Sequence, residues 1–447
     1  MELLIYLILF LLVLIVSSTT NKLLPFLPLP LVQILLGIVI GLFLPNTDFH
    51  LNTELFLALV IGPLLFRESE EADITAILKH WRIIVYLIFP VIFISTLSLG
   101  GLAHLLWLGL PLAARLAVGA ALGPTDLVAF ASLSERFSFP KRVSNILKGE
   151  GLLNDASGLV AFQVALTAWT TGALSLGQAS SSLIFSILGG FLIGFVTAMT
   201  NRFLHSFLLS VRATDIASEL LLELSLPLVT FFLAEEVHVS GIIAVVVAGI
   251  LKASRFKKIT LLEAQVDTVT ETVWHTVNFM LNGSVFVILG MELEMIAEPI
   301  LTNPIYNPLL LLVSLIVLTF VLFAIRFVMI YGYYAYRTRR LKKKLNKYMK
   351  DMLLLTFSGV KGTVSIATIL LIPSNLEQEY PLLLFLVAGV TLVSFLTGLV
   401  VLPHLSDEQE ESKDYLMHIG ILNEVTLELE KELEGTRNKL PLYAAID

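Results

Sequence analysis

The chain has no cysteine among its 447 residues, which excludes disulfides, thiolate metal sites and cysteine nucleophiles together. Charge is scarce too, at 15% against about 25% in soluble domains. The eight histidines are scattered, and no metal-ligand cluster or nucleophile–base set stands out, so the pattern is not that of an enzyme. No cofactor and no nucleic-acid partner is expected. The N-terminus opens with Met1-Glu2, without a basic region or an A-x-A cleavage pattern, and so is not read as a signal peptide.

What fills the chain instead is apolar sequence, 56% of all residues. A helix needs about 20 apolar residues to cross a bilayer. That rule predicts thirteen spans, near 2–18, 25–44, 53–67, 82–107, 111–135, 141–171, 180–208, 215–235, 239–252, 270–290, 306–336, 351–372 and 381–403. The loops near 45–52, 172–179, 236–239, 291–305 and 373–380 hold no Lys or Arg, whereas the alternate loops do. Eight basic residues lie between Arg337 and Lys350 alone. This positive-inside pattern predicts an external N-terminus and a cytoplasmic C-terminus, in the plasma membrane. Residues 1–403 read as one transmembrane domain. Residues 404–447 read as a cytosolic tail, acidic and then helical, which stops without a helix-stop signal and is expected to continue in a longer protein.

Against this background two carboxylates are conspicuous, Asp126 in span five and Asp155 in span six. A charge at the bilayer centre costs about 2.5–3.5 kcal/mol on insertion scales, and such residues read by default as ion or proton sites. Span five should break at Gly123 and Pro124, since proline lacks a backbone donor and clashes with the preceding turn. Thr125 and Asp126 suit the cap of a restarted half-helix. Span twelve carries a counterpart in Ser358-Gly359-Val360-Lys361-Gly362, where Lys361 between Gly359 and Gly362 either offsets helix dipoles or gates. Interrupted helices at matching positions of two inverted halves point to a transporter site at the midplane. The expected fold is therefore all-α, with two inverted repeats whose broken helices cross.

On span six, residues four apart share a face. Glu150 aligns with Asn154, expected to meet packed neighbours, and Gly151 with Asp155, expected to meet the broken helix. Asp155, Asp126 and Thr125 supply oxygen ligands for Na⁺ or Li⁺, and the same carboxylates bind protons. Competition of cation and proton for one site is sufficient for exchange, and Asn154 in place of a second acid predicts one proton per monovalent cation, an electroneutral cycle. A K⁺/H⁺ exchanger on the same scaffold is the alternative, because ligand type does not reveal cavity size. A gated cation channel is the rival from another class, but the chain has no filter motif.

At these residues the chain resembles the cation:proton antiporter-1 family, the sodium/proton antiporters of NhaP type that include the animal sodium/proton exchangers. The resemblance covers about residues 1–403. It rests on Gly-Pro-Thr-Asp (123–126), Gly-Glu-Gly-Leu-Leu-Asn-Asp (149–155), Trp274–Phe286, Ala324-Ile-Arg-Phe (324–327) and Gly-Val-Lys-Gly (359–362), all in family order. It implies an NhaA-like fold, and a homodimer in which a six-helix core moves like an elevator against a dimerisation scaffold. It also implies that Asp155 carries ion and proton with Asp126 and Thr125 assisting, and that Glu150 pairs with Arg326. Three positions depart from the pattern. Leu127 stands where the family has proline, Gly151 where it has serine, and Lys361 where it has arginine, which loses a bidentate fork. The family's acid after Leu-Leu-Phe in span three is Arg67 here, with Glu68 next, and neither is given a ligand role.

Overall fold

A computed structural model of the chain describes residues 2–24, 27, 29–43, 53–107, 109–126, 130, 137–171, 176–211, 215–253, 261–302, 306–340, 342, 344–370, 372 and 379–408. Within those ranges some side chains, that of Asp155 among them, lie outside the described residues, as does the expected tail helix at 415–435.

The protein is a multi-pass helical membrane protein. Helices α1 (Glu2–Leu23) and α2 (Leu29–Phe43) come first. Span α3 runs through Thr53–Phe56, a π turn Leu57–Ile61, and Gly62–Glu70. The short α4 (Ile74–Lys79) leads into α5, formed by Trp81–Tyr86, a π turn Leu87–Val91, and Ile92–Leu106. Both π turns have a chemical cause. Pro63 follows the first by two residues and Pro90 sits inside the second, and proline removes a backbone donor that the wider turn accommodates.

Next come α6 (Leu112–Ala121), α7 (Lys141–Thr171), α8 (Leu176–Ser210), α9 (Ile216–Glu236) and α10 (Gly241–Ala253). Asp215 caps α9, accepting from the Ser218 N–H at 2.9 Å. The chain continues with α11 (Leu261–Thr302), α12 (Pro308–Arg340), α13 (Met349–Phe357), α14 (Thr363–Leu370) and α15 (Tyr380–Leu405). Helix occurs within each of the thirteen predicted stretches. Among the described residues, six helical segments are long and apolar enough to cross a membrane, and α11 is twice as long as its apolar stretch suggested. A short strand pair adds a link between distant parts of the chain. Phe137–Ser138 pairs antiparallel with Asp407–Glu408, tying the segment before α7 to the end of α15.

Apolar residues divide between two directions, as expected where lipid replaces water. Helix α8 turns Phe185, Phe203 and Phe207 outward. Small residues allow close helix approach elsewhere. Gly37 of α2 and Gly290 of α11 lie against each other's backbone, where a Cβ on either would strike a carbonyl oxygen. Among the described residues, two large apolar clusters and a small one around Ala234, Val239 and Ala244 form the interior. The largest joins α2, α3, α6, α10, α11 and α15, and the second joins α5, α7, α12 and α13. The polar centre of the protein lies where α6, α7, α12 and the α13–α14 connection meet.

Candidate functional site: two unwound segments in contact

Helix α6 ends at Ala121. Leu122 and Gly123 still donate backwards, to Val118 and Ala120 at 3.0 and 3.2 Å, and then the chain unwinds through Pro124, Thr125 and Asp126. Phe130 donates to the Asp126 carbonyl at 3.1 Å, a helical pattern; residues 127–129 and 131–136 lie outside the described residues. The second interruption separates α13 from α14. Ser358 and Gly359 close the last turn of α13, Val360, Lys361 and Gly362 are unwound, and Ile366 donates back to Gly362 at 3.2 Å.

The two unwound segments touch. The Asp126 N–H donates to the Val360 carbonyl at 3.1 Å. Lys361 Nζ donates to the carbonyls of Gly123 and Pro124 at 2.8 and 2.5 Å, so it sits on the negative C-terminal end of α6. The Lys361 N–H donates to Ser394 Oγ of α15 at 3.2 Å. Close approach explains the glycine: a Cβ at Gly362 would lie 2.6 Å from Asp126 Oδ2. Thr125, Asp126 and Lys361 are each at most 3% exposed.

On the other side of the unwound α6 segment stands an ion pair. Arg326 of α12 donates from Nη1 to Glu150 Oε1 at 2.6 Å and from Nη2 to Oε2 at 2.8 Å. This two-point fork is specific to a guanidinium. Its Nε donates to the Leu355 carbonyl at 3.0 Å, at the C-terminal end of α13. Thr125 is drawn in as well. Its hydroxyl donates to Glu150 Oε1 and accepts from Arg326 Nη1, both at 2.9 Å. One guanidinium thus ties α12 to α7, to the first break and to the edge of the second. Gly359 permits this, since a Cβ there would collide with the Arg326 guanidinium.

Helix α7 meets the break through residues eight apart, on one face of the helix. Glu150 touches Thr125, and Gly158 receives the ring of Pro124 so closely that any side chain there would displace it. The face expected to meet packed neighbours has the break itself among them, since the Pro124 ring fits the notch that Gly158 leaves. Asn154 lies between these two contacts. It is 1% exposed, and its Oδ1 has no hydrogen-bond partner among the described residues. Asp155 is the next residue along α7, and its side chain lies outside the described residues.

Residues 7–406 match the family model described as "Sodium/hydrogen exchanger, transmembrane". The chain belongs to that family. Among similar proteins is the "Sodium, potassium, lithium and rubidium/H(+) antiporter" of Bacillus pumilus (strain SAFR-032), 33% identical over 97% of this chain and 64% of the relative. The protein of the same description from Bacillus subtilis (strain 168) is 36% identical over 88% of this chain and 60% of the relative. The chain thus spans under two thirds of the length of these curated relatives. In fold it resembles the sodium proton antiporter MjNhaP1 from Methanocaldococcus jannaschii, with a TM-score of 0.68 and 18% identity over 91% of this chain and 98% of that one. That likeness establishes an NhaA-like architecture for this exchanger-family chain.

Sequence reasoning passed over several residues. Glu68 of α3 lies within electrostatic range of Asp126, and its Oε2 is buried without a hydrogen-bond partner among the described residues. Glu223 and Glu219 had nothing to single them out. In the structure Glu223 accepts from Trp274 Nε1 at 2.9 Å and pairs with Lys252 at 2.8 Å, while Glu219 meets His205 at 2.7 Å. Lys252 also reaches Glu70, which pairs with Arg67. These ties join α3, α8, α9, α10 and α11. No local motif marks them, because their partners come from distant parts of the chain.

Proposed function

We propose that the protein is a secondary antiporter exchanging a monovalent cation, Na⁺ or Li⁺, for a proton, with K⁺ as a further substrate. The observation that carries this reading is the contact between two unwound segments inside the membrane, with Asp126 and Lys361 buried in it. Irregular backbone at membrane depth frees carbonyls that replace the water around a cation.

In this reading Asp155 is the carrier, with Asp126 assisting. Desolvation favours a carboxylate's protonated form, whereas a bound cation favours the ionised one. Ion and proton therefore exclude each other, and the exclusion is the exchange. The Thr125 hydroxyl is committed to Glu150 and Arg326, so its carbonyl is the oxygen offered to the ion. Glu150 and Arg326 hold the site together without binding cargo. Asn154, in place of a second acid, fixes one proton per cation and an electroneutral cycle. Residues 1–403 form the transport unit, an elevator-type homodimer in the plasma membrane with its N-terminus outside. The K⁺ reading draws support from the two Bacillus relatives, whose descriptions name sodium, potassium, lithium and rubidium.

The test uses proteoliposomes holding a pH-sensitive dye under an imposed pH gradient. Dequenching by Na⁺, Li⁺ and K⁺ that ignores a valinomycin voltage clamp is expected. Voltage sensitivity would refute the one-to-one count, and silence towards all three ions would overturn antiport. Non-saturating flux that never runs uphill would indicate a channel.

A further inference from the structure

At the end of the protein where α5 begins and α12 finishes lies a cavity of about 680 Å³, within the usual range of about 300–1,000 Å³ for small-ligand sites. Four cations line it, Lys79 at the end of α4, Arg82 in the first turn of α5, and Arg337 and Arg340 from the last turn of α12, and among the described residues no carboxylate does. Among the described residues none of the four is paired with an acid. The nearby Arg142, by contrast, pairs with Asp351 at 3.7 Å and lies over the Tyr334 and Tyr348 rings. Burial, and then the charges of Arg142, Lys79 and Arg337, hold His80 in the cavity wall below its ordinary pKa. The potential there is positive.

Its walls are fixed to each other. Tyr86 of α5 donates to the Met329 carbonyl of α12 at 3.1 Å, and its ring lies 5.2 Å from that of Tyr333. The rim is amphipathic: Leu78, Trp81 and Tyr336 are 62%, 52% and 67% exposed. Such aromatic side chains mark the level where lipid headgroups meet water. On the positive-inside pattern this is the cytoplasmic face, where anionic lipids attract juxtamembrane basic residues.

We propose that this pocket holds the phosphate-bearing headgroup of an anionic phospholipid from the adjoining leaflet. The guanidinium forks bind the phosphate oxygens, and the Trp81 and Tyr336 rim lies along the acyl chains. Arg337 is eleven residues from Arg326 on the same helix, about 16 Å. An occupied pocket thus anchors the helix that carries the buried ion pair.

The test compares retention of phosphatidylglycerol and of phosphatidylcholine with matched acyl chains on the purified full chain, by native mass spectrometry. Wild type is expected to prefer phosphatidylglycerol. Each cation removed weakens binding about fivefold, so the Arg82→Gln/Arg337→Gln/Arg340→Gln variant loses about a hundredfold. The corresponding triple lysine variant, which keeps the charge, is expected to lose far less. Equal retention by wild type and the glutamine variant would overturn the proposal, as would equal retention of the two lipids by wild type. Displacement of phosphatidylglycerol by millimolar inorganic phosphate would instead assign the pocket to a free anion. If the glutamine variant fails to fold, the wild-type lipid comparison and the lysine variant still decide.

Discussion

Two buried cations flank the unwound segment after α6, and they are held differently. Arg326 is forked onto Glu150 and shares Thr125 with it. Lys361 reaches the backbone carbonyls of Gly123 and Pro124. A guanidinium on a carboxylate makes a pair whose loss of either member strands a charge in a medium that cannot solvate it. An ammonium on carbonyls is a single donor group that stabilises a helix end and leaves the surrounding backbone free to change partners. On these contacts we propose that the Arg326 side holds and the Lys361 side rearranges. On the antiport proposed above, the groups that keep the site's shape are then separate from those that meet the ion.

The largest expected effects come from breaking the two sides separately. Arg326→Met leaves Glu150 buried and charged, and should cost about 3–5 kcal/mol, read as a large drop in melting temperature in detergent. Arg326→Met with Glu150→Leu should recover part of that loss, because no charge is then stranded. Asp155→Asn should show the reverse signature: exchange abolished in proteoliposomes, with melting and assembly near wild type. Normal exchange by Asp155→Asn would remove the carrier from the mechanism. An unchanged melting temperature for Arg326→Met would remove the distinction between the two sides.

Lys361→Met tests the middle of the range. It removes hydrogen bonds from a charged donor, about 1.5–3 kcal/mol, so the melting temperature should fall less than for Arg326→Met. Exchange should fall more than stability does, since the lysine sits between the two breaks. A loss as large as that of Arg326→Met would make Lys361 a second holding residue and dissolve the comparison.

How far the site was legible depends on the range of each interaction. Gly123-Pro124 announces a break because proline's missing donor is a local fact, and Asp126 and Asp155 stand out because charge is so scarce around them. The pairing of Glu150 with Arg326 spans 176 residues, and only family resemblance suggested it. The contact of Lys361 with Gly123 and Pro124, across 238 and 237 residues, left no trace beyond two glycines and a cation. The double duty of Thr125 was not legible, because a hydroxyl's partners depend on rotamer and register. In the fold, hydropathy found the helical stretches but not the full reach of α11, whose ends are polar and so invisible to an apolar count.

Two glycine substitutions sharpen the comparison at equal chemistry. A Cβ at Gly359 would press on the Arg326 guanidinium, and one at Gly362 on the Asp126 carboxylate. Each should cost about 1–3 kcal/mol through overpacking. Gly359→Ala should act as a mild Arg326 defect, lowering melting while retaining exchange. Gly362→Ala should shift the apparent cation affinity of exchange at a smaller cost in melting temperature. Interchanged outcomes would mean that the holding and rearranging roles had been assigned to the wrong sides.

The smallest effect belongs to Thr125, which stands on the boundary. Thr125→Val keeps the shape of the side chain but removes the hydroxyl that donates to Glu150 and accepts from Arg326. Both partners retain their direct fork, so the loss should be about 1 kcal/mol, a melting shift of a few degrees that Thr125→Ser largely restores. Exchange should persist in Thr125→Val, since the carbonyl is unchanged and the hydroxyl faces the ion pair. Retained melting with exchange lost would mean that the hydroxyl leaves Glu150 during the cycle and meets the cation, placing Thr125 among the residues that rearrange.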